Sequence, residues 1–235
     1  MQSNNDKLFR LVLIRHEQSY YSDKGHDLAP DGVERAIKIG VDLKKRRIID
    51  PEQEVCLFHS PKPRARGTLD FIVQGAGLTG VYTEAKDLRC SDYADLDAFL
   101  SREKELALTP EDVAREHYEN HELYEDSPHI VESHTKRRSR FYRFLSELVL
   151  RYMLADASAK QVIAVSHFEI IMHIIHDVFD IKSFSSYMAP MLGEYIVIDF
   201  LPDNDSGSIQ LILYFRDRIG NVKYDFVTRS IVDVI

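Results

Sequence analysis

The feature that most restricts the fold is a repeated pattern in which an apolar run ends in polar residues. The runs LFRLVLI (8–14) and QVIAVS (161–166) are almost continuously apolar, and EVCLFHS (54–60) follows the same pattern. Strands that are apolar on both faces are typical of parallel sheets whose two sides are both covered. These three segments therefore predict the inner strands of an α/β fold.

Segments with helical periodicity separate these runs. In DGVERAIKIGVDL (31–43) the apolar residues recur at helical spacing, and Asp31 is placed to cap the helix. The segment PRARGTLDFIVQGAG (63–77) predicts a second helix, and GVYTEA (80–85) a short strand. Strand and helix in alternation predict a three-layer α/β sandwich, with a mostly parallel sheet and helices on both faces.

The remaining sequence predicts an insertion and a group of late strands. From about 91 to 159 the chain is charged and helical in pattern, which predicts a helical cap closed by a long helix around 135–153. A helix near 169–179 precedes the late strands, which are EYIVIDF, SIQLILYF and KYDFVTRSIV. A hairpin loop is expected at PDNDSGS. Together these elements predict one domain over 7–235 with the cap inserted.

Composition excludes several classes of protein. The formal net charge of −8 argues against a general binder of nucleic acid or of anionic membrane surfaces. Only Cys56 and Cys90 are present, and their spacing fits neither a metal site nor a redox motif. The N-terminus is polar, and no apolar run approaches the length of a membrane span. A cytoplasmic protein without membrane or nucleic-acid partners is the expectation.

The polar residues at the strand ends indicate a reaction. Arg15 and His16 end the first run, Ser60 followed by Arg64 ends the second, and His167 ends the third. In open parallel sheets ligands bind beyond the carboxyl ends of the strands, where such side chains converge. Guanidinium groups suit phosphate oxygens, and an imidazole among arginines stays unprotonated and nucleophilic. This inventory favours phosphoryl transfer to a histidine.

Five segments in register resemble the motifs of the histidine phosphatase superfamily, which includes the phosphoglycerate mutases. The resemblance extends over about 8–200, and its segments are LIRHEQS, DLAPDGVERAIKIG, HSPKPRARGTLDF, VESHTKRRSRFYRFL and AVSHFEII. It implies an α/β fold and a phosphohistidine intermediate, with no metal ion and no organic cofactor.

The resemblance also implies roles for individual residues. His16 matches the phosphate-accepting nucleophile, and Arg15, Arg64 and His167 match the remainder of the phosphate pocket. Ser22 stands where the mutase signature has an asparagine, and its hydroxyl is expected to contribute to substrate binding.

Two further positions depart from the family pattern. Glu17 replaces the glycine that follows the nucleophile, and we expect its side chain to point out of the pocket. Cys90 replaces the glutamate that serves as general acid in the mutase-like branch, and a neutral thiol is a poor proton donor. Glu169, two residues after His167, resembles the acid of another branch, and Asp92 is the second candidate.

The predicted function is that of a phosphomonoesterase acting on a small phosphorylated substrate or a phosphoprotein, with inorganic phosphate as a further ligand. The alternative is a catalytically weakened family member that binds a phosphorylated ligand as a regulator. A mutase fits less well, because both Cys90 and Ser22 depart from that pattern. The sequence determines neither the substrate nor the oligomeric state.

Other histidines and a basic run are further candidates for functional sites. His117 with His121, and His173 with His176, have the spacing of metal-ligand pairs on a helix, but neither pair has a clear third ligand. We expect structural roles for both pairs. The basic run 136–140 is expected to be a solvated helix face, with contact to an anionic substrate as the alternative.

Overall fold

The structure is a computed structural model that describes most of the sheet and its helices. The described residues are 7–20, 28–92, 97, 101, 104, 132–154, 161–181, 186–203 and 207–234. Most of the expected cap lies outside them, as do Ser22, His117 and His121.

The described chain contains four α-helices and eight strands. The α-helices are α1 (Pro30–Lys45), α2 (Pro63–Ala76), α3 (His134–Leu154) and α4 (Phe168–Phe179). The strands are β1 (Phe9–Arg15), β2 (Val55–His59), β3 (Gly80–Glu84), β4 (Gln161–Ser166), β5 (Tyr195–Pro202), β6 (Ser208–Phe215), β7 (Arg218–Asp225) and β8 (Ser230–Val234). Short 3₁₀ helices span Lys86–Leu88 and Ser186–Met188. The helices expected at 31–43, 63–77, 135–153 and 169–179 are all present.

All eight strands form a single mixed sheet in the order β3-β2-β4-β1-β5-β6-β7-β8. The first four in this order run parallel to one another, whereas β5 to β8 pair antiparallel. The prediction of a mostly parallel sheet is therefore wrong for half of it. The antiparallel pairing follows from the connections between the strands. The turns that join β6, β7 and β8 are short, whereas parallel neighbours need a crossover connection of about a dozen residues or more.

The alternating side chains of β1 belong to two separate cores. Phe9, Leu11 and Leu13 pack with residues of α3 and α4, while Val12 and Ile14 pack with residues of α1 and α2. This double burial explains the continuous apolar run in the sequence. It also fixes the direction in which β1 delivers Arg15 and the residue after it.

Helices α1 and α2 approach each other closely through two glycines. A Cβ added at Gly40 would lie 2.1 Å from the Ile72 carbonyl oxygen, and one added at Gly75 would lie 2.1 Å from that of Ile37. Only glycine allows this backbone approach, because any side chain would push the helices apart. The contact fixes the position of α2, whose first turn carries Arg64.

Two local predictions are wrong. The residue before α1 is Ala29, which has no side-chain cap, and Asp31 lies inside the first turn, where it bonds Arg35. Pro30 explains the earlier start, because its fixed φ suits the first helical position. The single strand expected at 223–232 is interrupted by a turn before Ser230, and Arg229 adopts φ 59°.

Over the described residues, none of the helices combines the length and apolar character that crossing a membrane requires.

Candidate active site

Three side chains from different elements meet at the carboxyl ends of β1 and β4. Arg64 Nε donates to His16 Nε2 at 3.0 Å, and Arg64 Nη2 lies 3.3 Å from His167 Nδ1. The two imidazole rings are 4.9 Å apart between centroids. Because β1 pairs directly with β4 in parallel register, both histidines leave the sheet at the same edge.

The hydrogen bonds of His16 determine its tautomer. Its Nδ1 lies 2.8 Å from the carbonyl oxygen of Glu17, which only accepts, so Nδ1 carries the proton. Nε2 then holds a lone pair toward Arg64. Burial, followed by the positive charge of Arg64, lowers the pKa of His16 to about 3. The imidazole is therefore neutral at physiological pH, with Nε2 as the nucleophilic atom.

His167 is fixed in the opposite tautomer. Arg64 only donates, so Nδ1 of His167 accepts from it, and the proton lies on Nε2. Nε2 donates to the Ser60 hydroxyl at 2.7 Å. Burial, followed by the electrostatic effects of the neighbouring His16 and Arg64 side chains, holds the pKa of His167 well below its usual value. Two neutral imidazoles thus face one guanidinium. Because neither imidazole carries a negative charge, the positive charge of Arg64 is available to bind an anion.

Arg15 borders this cluster. Its Nη1 donates to the Pro190 carbonyl at 2.7 Å, and its guanidinium carbon lies 5.1 Å from the centroid of the Phe168 ring. The charge of Arg15 also contributes to the lowered pKa of His16, which places the two side chains within electrostatic range. The structure therefore brings together Arg15, His16, Arg64 and His167.

A chain of backbone and hydroxyl contacts joins β1 to α2 behind the nucleophile. The Glu17 amide donates to Thr68 Oγ1 at 2.9 Å, and the Thr68 hydroxyl donates to the Arg64 carbonyl at 2.8 Å. Thr68 lies in HSPKPRARGTLDF, one of the five segments that resemble family motifs. Its position four residues after Arg64, one helical turn away, is the sequence signal that could have indicated this contact. These bonds fix the distance between His16 and Arg64.

The candidate acids differ in their surroundings. The carboxylate of Asp92 accepts hydrogen bonds from Arg89 Nε and Nη2, and this interaction lowers the pKa of Asp92. Glu169 lies in the first turn of α4, where its carboxyl group is close enough to act electrostatically on both Cys90 and His16. Burial is the larger cause of the raised pKa of the Cys90 thiol. Of the two carboxyl candidates, Glu169 lies within electrostatic range of the nucleophile.

An internal ion pair holds the segment that carries Cys90. Arg140 bonds the carboxylate of Glu132, both side chains being almost fully buried, and also donates to the carbonyls of Asp87, Arg89 and Cys90. The expectation of a solvated basic face over 136–140 is therefore wrong for Arg140 and for Arg137, which is 1% exposed. Periodicity alone did not reveal these contacts, because Asp87, Arg89 and Cys90 lie 53, 51 and 50 residues from Arg140 in sequence.

His173 and His176, the candidate metal-ligand pair on α4, lie among side chains that, within the described part of the chain, do not form a metal site. His173 is fully buried, with its ring 4.4 Å from that of His134 between centroids. Asp177, the carboxylate beside them, bonds Arg138 and Tyr142. Among the described residues, no group of three or more metal-ligating side chains comes together.

Glu17 turns away from the candidate pocket, toward α1. Its carboxylate accepts from Arg35 Nε at 2.9 Å and from the Gln18 amide at 3.2 Å, and the residue is 1% exposed. Gly193 faces it with φ 71°, and a Cβ added there would lie 2.1 Å from Glu17 Oε1. The carboxylate that replaces the family's glycine is thus accommodated by a glycine elsewhere.

We expect Gly193→Ala to lower the free energy of unfolding by about 2–4 kcal/mol, since positive-φ strain adds to overpacking. Urea denaturation measures the change. Gly67→Ala is the matched control, because its added Cβ would meet Leu28 Cγ at an ordinary 3.5 Å. In a Glu17→Ala background the penalty should shrink, because the crowding carboxylate is gone. An equal penalty in both backgrounds would contradict this packing.

A cleft of about 660 Å³ lies at the opposite edge of the sheet, near the start of β1 and β4. Its basic lining includes Lys7 and Arg10, which both bond the buried carboxylate of Asp199. It contains none of the residues predicted for the site. Volume alone therefore does not identify the reactive centre.

Comparisons with known proteins bear on this arrangement. The family model described as histidine phosphatase superfamily (branch 1) matches residues 11–200. A search of curated protein sequences gave no match. Several solved structures share the fold at low sequence identity, among them the following three.

The first is mycobacterial hydrolase 1, with a TM-score of 0.62, 19% identity, and coverage of 90% of this chain and 100% of that one. The second is a mycobacterial glucosyl-3-phosphoglycerate phosphatase in complex with VO₃, with a TM-score of 0.59, 18% identity, and coverage of 88% and 98%. The third is a phosphoserine phosphatase mutant from Entamoeba histolytica in complex with phosphoserine, with a TM-score of 0.51, 16% identity, and coverage of 90% and 96%.

Proposed function

Because the chain belongs to the histidine phosphatase superfamily (branch 1), we propose that it is a phosphomonoesterase that forms a phosphohistidine at His16. The observation that carries the proposal is the hydrogen bond from Arg64 to a neutral His16 Nε2, with His167 beside it. Two of the similar structures are named as phosphatases, which supports hydrolysis over other reactions of phosphate esters.

The first step is attack by His16 Nε2 on phosphorus. The incoming phosphate takes over the donors of Arg64, which releases the Nε2 lone pair. The N–P bond forms as the P–O bond to the leaving group breaks, in line with it. Arg64 and Arg15 stabilise the charge on the transferred oxygens, because fixed cations in a desolvated site act most strongly on the transition state.

The second requirement is a proton for the leaving oxygen. We assign it to Glu169, since Arg89 keeps Asp92 ionised and the Cys90 thiol is buried. Glu169 donates the proton as the alcohol leaves. In the hydrolysis step water attacks the phosphohistidine, the N–P bond breaks as the new O–P bond forms, and Glu169 accepts the proton that the water loses. Phosphate departs, and both His16 and Glu169 return to their starting states.

The substrate proposed is a small phosphorylated molecule or a phosphoprotein. A second candidate is a regulator that binds a phosphorylated ligand with little turnover, and Cys90 at the usual acid position favours it. Release of inorganic phosphate from a panel of phosphate esters separates the two. If the protein is a phosphatase, we expect multiple turnovers and competitive inhibition by vanadate. Binding of phosphorylated compounds without turnover would instead support the hypothesis that the protein is a regulator.

A further inference from the structure

A second arginine, distant in sequence, holds the segment that contacts Arg15. Arg216 lies in the two-residue turn between β6 and β7 and adopts φ 55°. Its guanidinium faces the segment 187–194, which we call the proline segment because Pro190 lies near its centre. Only 23% of its side chain is exposed.

Arg216 bonds the proline segment on both sides of Pro190. Before the proline, it donates to the carbonyls of Tyr187 and, at 3.1 Å, of Ala189. After the proline, Nε and Nη2 form a two-point contact with the Glu194 carboxylate at 2.6 and 2.8 Å. A guanidinium fork can satisfy such a set of acceptors at once, and an ammonium group cannot.

The proline segment in turn determines where Arg15 points. The Pro190 carbonyl accepts from Arg15 Nη1 at 2.7 Å. The backbone of Arg15 is also tied to this segment, since its amide donates to the Glu194 carbonyl and its carbonyl accepts from the Gly193 amide. Glu194 Oε2 accepts from the Met191 amide as well. Arg15 is therefore oriented by a segment whose shape depends on Arg216.

We propose that Arg216 is a positioning residue for the phosphate pocket, acting through the Pro190 carbonyl on Arg15. The inference rests on the proposed function, because it assumes that Arg15 binds the phosphoryl group. Without Arg216 the proline segment relaxes and Arg15 samples other orientations. A misplaced cation binds the anion less well, because the charge-assisted hydrogen bonds that it donates are weakened or lost.

The test is phosphate and vanadate binding, measured by calorimetry, in the wild type, Arg216→Ala, Arg15→Ala and the double variant. Arg216→Ala should weaken binding by roughly 10-fold to 10²-fold, which corresponds to the loss of one charge-assisted hydrogen bond to the anion. In the Arg15→Ala background the same change should have no further effect, because its only route to the anion is gone. An equal loss in both backgrounds would overturn the proposal.

Two further variants separate positioning from a loss of folding or of charge. Arg218→Ala is the matched control, since Arg218 belongs to the same hairpin and lies 5.7 Å from the centroid of the Tyr187 ring, without a hydrogen bond to the proline segment among the described residues. Its binding should equal that of the wild type. Arg216→Lys keeps the charge but loses the fork, and it should weaken binding as Arg216→Ala does.

The outcomes also distinguish this proposal from the proposed function. If the wild type binds neither phosphate nor vanadate, the proposed function fails. If the wild type binds them and Arg216→Lys binds equally well, the positioning role is wrong while the phosphate pocket stands.

Discussion

Replacing His16 with alanine is expected to lower the turnover of phosphate monoesters by at least about 10⁴-fold. The Nε2 lone pair is the atom on which the N–P bond forms, and the hydrogen bonds to the Glu17 carbonyl and Arg64 orient it. Alanine leaves water as the attacking group. The remaining pocket supports only the residual rate that binding and charge stabilisation provide.

The control for His16→Ala is His176→Ala, which removes another partly buried histidine, in the last turn of α4. This variant should keep the activity of the wild type. Turnover of an ester panel and circular dichroism are measured on both variants. Activity that survives in a folded His16→Ala would show that His16 is not the nucleophile.

The second large effect is a split between substrate types in Glu169→Gln. An alkyl phosphate leaves as a strongly basic alkoxide and needs a proton, whereas p-nitrophenyl phosphate leaves as a stabilised anion. We expect Glu169→Gln to lower kcat on alkyl esters by roughly 10²–10⁴-fold, and to affect the aryl ester far less. Steady-state kinetics on both substrates measure the split.

Asp92→Asn and Cys90→Ser are the matched comparisons for Glu169→Gln. Neither should discriminate between the two substrate types, because Arg89 holds Asp92 ionised and the raised pKa of Cys90 makes its thiol a weak acid. A split in Asp92→Asn instead would transfer the role to that residue. Equal losses on both substrates in Glu169→Gln would mean that Glu169 supports binding or folding.

The parallel half of the sheet was predictable from the sequence, because its inner strands are buried on both faces. Residues of β1 pack into cores on both faces, so the strand is apolar throughout and its pattern is unmistakable. The antiparallel half depends on turns, and the turns at Arg216 and Arg229 contain no glycine although both residues have positive φ. Without that signal, the boundaries of β7 and β8 were misplaced.

The part of the candidate site that consists of reactive side chains was predictable from the sequence. His16, Arg64 and His167 each follow a buried strand, and the sheet brings them together. The supports behind them were not predictable, because Pro190 contributes a carbonyl group that any residue has. Arg216 comes near Arg15 only through the pairing of β5 with β6, a contact that no local pattern encodes.

The most direct test of the central claim is to trap the phosphoenzyme. The wild type is mixed rapidly with a radiolabelled phosphate ester and quenched in alkali, where phosphohistidine survives, and the label is located by peptide mapping. The account predicts labelled His16 in the wild type and no label in His16→Ala. Label on Ser19, or rapid turnover with no label on His16, would contradict it.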